Sequence, residues 1–181
     1  MKNIIYFGII LFVFLFACRR PEQFPIIPEI KLISFEKYQV TDTTIGAILI
    51  FYFQDGDGDI GLNNTDNRPP FDTASIYYYN FFCDYYEKRN GIFEIIDFVE
   101  TPSGIMPFNF NARIPRLSYL PEESISGEIA IKMPFYFFDP TSPYDTSKIK
   151  FYIVDRKLHH SNIEEAIMIR KTLNYEHNRN Y

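Results

Sequence analysis

Seven short runs of β-favouring side chains, set between turn residues, constrain this chain more than anything else in its sequence. They are Ile30–Tyr38, Ile45–Phe53, Ser75–Glu87, Ile92–Val99, Gly127–Phe138, Lys148–Val154 and Ile163–Thr172. Branched and aromatic side chains suit a pleated, half-buried surface, and 19 Phe and 14 Tyr supply them. Alternation is clearest in Glu128-Ile129-Ala130-Ile131-Lys132-Met133 and in Lys148-Ile149-Lys150-Phe151-Tyr152-Ile153, the pattern of strands with one wet face. Asn90-Gly91 is a strong hairpin signal, which pairs Ser75–Glu87 with Ile92–Val99. Ile76 to Phe82 reads as a core strand packed on both faces. Pro102, Pro107, Pro115 and Pro121 mark irregular or edge structure. Asn162 to Lys171 holds helix formers, yet it follows a tight polar turn as a returning strand would, and strand is the expectation. The fold class that follows is all-β, an antiparallel β-sandwich of about seven strands.

The first 17 residues stand outside that pattern. Lys2 precedes an apolar stretch from Ile4 to Ala17, shorter than the roughly 20 helical residues a bilayer requires but suited to a signal peptide. Leu15-Phe16-Ala17-Cys18 resembles the lipobox of bacterial lipoproteins, whose cysteine is diacylated and becomes the new N-terminus. The expected organisation is a cleaved signal peptide over 1–17, a lipidated extended tether over 18–28, a folded domain over 29–173 and a frayed polar tail over 174–181. Cys18 is the expected lipidation site, which leaves Cys83 without an intrachain partner. A small apolar side chain in a strand accounts for Cys83.

Charge and motifs narrow the function classes. A net charge of -5 with scattered Lys and Arg gives no footprint for a phosphate backbone, so nucleic acid is not an expected partner. The chain lacks a nucleophile elbow, a His-Glu-x-x-His pair, a Gly-rich phosphate loop and a CxxC motif. His159, His160 and His177 are the ready general bases, and adjacent histidines in a turn are most simply solvated. The expectation is a non-enzymatic, lipid-anchored binding module of the cell envelope that contacts an envelope protein or glycan. A structural or complex-accessory lipoprotein without a small ligand is the first alternative, and a hydrolase using loop carboxylates the second.

The most chemical segment is Gln54-Asp55-Gly56-Asp57-Gly58-Asp59-Ile60-Gly61-Leu62, directly after an apolar run. Asp at alternate positions can turn carboxylates towards one centre while Gly lets the backbone curl, an arrangement that suits Ca2+. It is not an EF-hand, since Asp66 stands where the twelfth-position glutamate belongs. The same residues also suit a tight solvated turn. Asp155 and Asn162, in Asp155-Arg156-Lys157-Leu158-His159-His160-Ser161-Asn162, are candidates to complete a metal set of Asp55, Asp57, Asp59, Asp155 and Asn162. Arg156 is a competing partner for Asp55 or Asp57.

These segments, together with Asp84-Tyr85-Tyr86-Glu87-Lys88-Arg89-Asn90-Gly91 and Ser126-Gly127-Glu128-Ile129, resemble those of uncharacterised Bacteroidetes lipoproteins with immunoglobulin-like sandwiches. The resemblance covers nearly the whole mature chain. It implies an immunoglobulin-like fold and an outer-membrane location, and it carries no activity. Arg19-Arg20-Pro21-Glu22 departs from the acidic run of surface-exported relatives, which implies the periplasmic face.

Overall fold

The computed structural model describes residues 23–41, 44–101, 104–120, 123–133 and 144–169. The expected signal peptide, the expected lipidation site Cys18, His177 and the expected polar tail lie outside these residues. Among the described residues nine strands follow in order: β1 (Glu29–Thr41), β2 (Thr44–Asp55), β3 (Phe81–Arg89), β4 (Ile92–Ile95), β5 (Phe98–Thr101), β6 (Gly104–Pro107), β7 (Ile125–Met133), β8 (Thr146–Ile153) and β9 (Glu164–Ile169). β1-β2-β7 form one antiparallel sheet and β4-β3-β8-β9 the other, with β5-β6 as a separate ribbon. The sheet of β1, β2 and β7 packs against the sheet of β4, β3, β8 and β9 as a β-sandwich.

Side-chain alternation explains the two layers. Along β8 the buried residues are Ser147, Ile149, Phe151 and Ile153, while Lys148, Lys150 and Tyr152 face outwards. The sheets meet through three fully buried rings, Phe51 on β2, Phe81 on β3 and Phe151 on β8. Their centroids lie 5.3–6.0 Å apart. Aromatic contacts thus join the two sheets at the centre of the core. Cys83 lies fully buried on β3, and burial pushes its thiol pKa upwards, as for an inert core residue.

The Asn90-Gly91 hairpin is present between β3 and β4, with positive φ at both residues as a type I′ turn demands. The returning strand after Asn162 is β9. Ile76–Phe82 is a correction: Ile76–Tyr78 is a single 3-10 turn, and only Phe81 and Phe82 belong to β3. The Ser75 side chain accepts the Tyr77 N–H at 3.1 Å, a local bond that competes with strand pairing. The ribbon β5-β6 grows from the edge of β4 where prolines pointed to irregular or edge structure. Asp97 and Phe108 close its base, with the Phe108 N–H donating to the Asp97 carbonyl at 2.7 Å.

This topology gathers three segments at one end of the sandwich. Glu29 at the start of β1 pairs with Gln54 near the end of β2, and Phe81 at the start of β3 pairs with Ile153 at the end of β8. The β2–β3 loop, the β8–β9 loop and the lead-in to β1 consequently share that end.

Candidate metal centre

Asp55 is the last residue of β2, and Asp155 lies just beyond β8, so each sheet delivers one carboxylate to the shared end. Both are buried, at 0% and 2% exposure. Gly61 has φ +98°, and an added Cβ there would lie 2.2 Å from the Pro115 carbonyl oxygen. Glycine thus lets the acidic loop fold tightly against the segment before β7. The turn brings Asp59 back over Asp55, whose Oδ2 accepts the Asp59 N–H at 2.9 Å.

Asp55, Asp59 and Asp155 each offer an oxygen lying within 4.8 Å of the other two. Oxygens bound about 2.3–2.6 Å from one Ca2+ can span that separation. Asp55, Asp57 and Asp59 each bury an Oδ1 atom that accepts no hydrogen bond. Burial, then the Asp57 and Asp59 charges, push the Asp55 pKa up to about 7. Burial followed by the Asp155 and Asp57 charges also raises Asp59, against an opposing pull from Lys157.

The neighbouring cations form their side-chain ion pairs with Asp66 and Asp57 rather than with Asp55 or Asp59. Arg156, the competing partner for Asp55 or Asp57, pairs through its side chain with Asp66 instead, and the Arg156 side-chain hydrogen bond lowers the Asp66 pKa. Lys157 pairs with Asp57 at 2.5 Å from an exposed position. One of the four carboxylates is thereby neutralised at the rim, and Asp55, Asp59 and Asp155 keep their mutual repulsion. His159 holds Asp155 in place: its N–H donates to Oδ1 at 2.8 Å, and its Nδ1 lies 2.8 Å from Oδ2. Carboxylates that ligate metals are themselves held by hydrogen bonds from surrounding groups.

Of the five residues expected to bind metal, the structure brings together Asp55, Asp59 and Asp155. Asp57 sits at the rim in its pair with Lys157. Asn162 points elsewhere: its Oδ1 accepts the Ile30 N–H at 2.8 Å and its Nδ2 donates to the Ile30 carbonyl at 2.9 Å. Its flanking position in the loop sends the side chain to the edge of β1, which the order of residues alone did not reveal.

Sequence reading missed Arg113. Its guanidinium donates to the carbonyls of Asn63 at 3.0 Å, Asp66 at 2.6 Å, Phe71 at 3.5 Å and Tyr78 at 2.7 Å. It also lies over the Tyr78 ring. One side chain thus holds much of the β2–β3 loop, and an isolated arginine among prolines gave no pattern to find it by. His160 stacks on Tyr152 at 5.4 Å and meets the edge of Tyr77, so this histidine packs on the outer face of the second sheet.

Comparisons with protein-family models, with curated proteins and with solved structures each return no match for this chain.

Proposed function

We infer that the chain is a lipid-anchored, non-catalytic interaction module of the cell envelope whose loop end is braced by a divalent cation, with Ca2+ the ion that fits. The observation that carries the metal reading is the meeting of Asp55, Asp59 and Asp155 within 4.8 Å, with buried oxygens on Asp55 and Asp59 left unpartnered. A hard cation satisfies those oxygens and cancels the repulsion in one step. Because Asp55 leaves the first sheet and Asp155 the second, the ion also ties the two sheets at their open end.

The burial of Asp55 and Asp155 favours a brace over hydrolysis, since a substrate bond must reach both carboxylates of a hydrolytic pair. An interaction role draws support from large apolar side chains left in solvent in and just before the ribbon, Ile95, Phe98 and Ile105. Apolar side chains exposed together mark contact surfaces when they form a patch. The envelope location and its periplasmic face rest on the leader, on Cys18 and on the lipoprotein resemblance.

The test of the metal reading is thermal unfolding of the purified protein with excess EDTA and with millimolar Ca2+. A rise in melting temperature that Asp155→Asn removes is expected; equal melting temperatures would overturn the metal assignment. Pull-down from membrane extracts then tests the interaction reading, with one stoichiometric envelope partner expected and Phe98→Asp expected to release it.

A further inference from the structure

The lead-in to β1 is fastened to the same end of the sandwich as the carboxylates. The Gly56 N–H donates to the Pro25 carbonyl at 2.8 Å, and the Phe24 N–H donates to the Ser124 hydroxyl at 3.0 Å. Described structure begins at Gln23, five residues after Cys18. Five residues reach at most about 18 Å when fully extended. Acyl chains on Cys18 would therefore hold this end, and no other, within that distance of the bilayer.

The side chains at this end suit such a position. Ile26 and Ile27 of the lead-in and Leu117, Tyr119 and Leu120 of the segment before β7 are exposed, Tyr119 by 73% and Leu120 by 59%. The loop contacts place the second group: the Leu117 N–H donates to the Ile60 carbonyl at 3.3 Å, and the Tyr119 hydroxyl donates to Asn63 Oδ1 at 3.0 Å. Arg116 lies over the Tyr119 ring. Aliphatic side chains next to tyrosine and arginine are the set that settles at the boundary of headgroups and acyl chains.

We propose that the sandwich docks end-on against the bilayer that holds its acyl chains, with Ile26, Ile27, Leu117, Tyr119 and Leu120 entering the headgroup boundary. The docking rests on the lipidation reading of Cys18. Two acyl chains already give stable attachment; what this apolar end adds is the orientation of the domain on the bilayer. Docking leaves the β3–β4 turn, at the opposite end of β3 from Phe81, on the side away from the bilayer and free to meet a partner.

The chain has no tryptophan, so one introduced indole reports its own surroundings. The full lipoprotein is reconstituted in phosphatidylethanolamine and phosphatidylglycerol vesicles whose acyl chains carry bromine near the headgroups. Flotation of the vesicles reports anchoring. Leu120→Trp, with Tyr119→Trp as a second reporter, should shift its emission to the blue and lose most of its intensity. Ile92→Trp, beside the distal turn, should keep both. Floating protein with unquenched Leu120→Trp and Tyr119→Trp, or with Ile92→Trp quenched equally, overturns the docking and leaves the anchor standing. Protein that fails to float overturns the anchor, and the docking falls with it.

Discussion

The side chain of Asn162 closes on the main chain of Ile30 from both sides, accepting its N–H at 2.8 Å and donating to its carbonyl at 2.9 Å. A loop of the second sheet thereby pairs with the exposed edge of β1 in the first. Glu164 extends the contact, its Oε2 accepting the Leu32 N–H at 3.3 Å. Unpaired edges invite pairing with other chains, and side chains that occupy them remove the template.

Asn162→Ala should therefore lower stability by about 1–2 kcal/mol, two hydrogen bonds being lost at a partly solvated edge. The same variant should keep the full response to Ca2+, because Asn162 is committed to β1. Denaturant unfolding with and without Ca2+ reads both effects. A lost Ca2+ response would return Asn162 to the ligand set.

Asp55→Asn separates the two roles of its carboxylate. The amide oxygen can still accept the Asp59 N–H, while the charge that repels Asp57, Asp59 and Asp155 is gone. In EDTA at neutral pH the variant should melt at or above the unaltered protein, and it should gain nothing from Ca2+. The unaltered protein should gain about 2.7 kcal/mol at a Ca2+ concentration 100 times its dissociation constant. Asp57→Asn should weaken the response without abolishing it, since Lys157 already shares that carboxylate. Melting curves of the three proteins decide the matter.

Much of this architecture was legible in the sequence, and the reason is periodicity. Lys148–Ile153 and Glu128–Met133 alternate strictly enough to fix which side faces the core, and Asn90-Gly91 fixes one register. The acidic loop was legible too, because carboxylates and glycines alternate over a short span. Pairwise partners were not. Arg156 and Lys157 are neighbours, yet they take Asp66 and Asp57, and only the path of the loop decides that. The 3-10 turn at Ile76–Tyr78 escaped because consecutive aromatic residues look the same whether their rings are buried or lie beneath a guanidinium.

Protons and Ca2+ should compete at this site. With the cation removed, the folded pKa of Asp55 stands at about 7 against an ordinary value of 3.8. The folded state then binds the proton more tightly than the unfolded state does. Its contribution to stability is full below about pH 4 and is lost as pH rises through 7. The EDTA-treated protein should melt at falling temperature across that window, while stabilisation by Ca2+ should grow, since the ion must displace the proton. Melting temperatures from pH 5 to 8, measured in EDTA and in Ca2+, should diverge towards the alkaline end; parallel curves would oppose the assignment.

Gly61 and Gly91 share positive φ but differ in surroundings. A Cβ on Gly91 meets nothing within 4 Å, whereas one on Gly61 would lie 2.2 Å from the Pro115 oxygen and 2.5 Å from the Arg116 Cα. Gly91→Ala should cost about 1–2 kcal/mol of backbone strain. Gly61→Ala should cost clearly more, because main chain must also move, and it should weaken Ca2+ binding by displacing the acidic loop. Equal losses of stability would mean that the approach of residues 115 and 116 does not restrain the loop.

Arg113 reaches the metal centre without touching it. Its guanidinium binds the Asp66 carbonyl, the Asp66 carboxylate pairs with Arg156, and Arg156 directly follows Asp155. Lysine in its place keeps the charge but cannot donate in a planar fork to the carbonyls of Asn63, Asp66, Phe71 and Tyr78. Arg113→Lys should thus release amide protection across residues 63–80 in hydrogen exchange and cost about 2–4 kcal/mol through carbonyls left unpaired. Titration calorimetry should also find weaker Ca2+ binding, although every carboxylate is intact, because the loops that carry them no longer hold one arrangement before the ion arrives. Unchanged affinity would mean that Asp55, Asp59 and Asp155 are positioned by the strand ends alone, with the Arg113 clasp serving only the outer part of the loop.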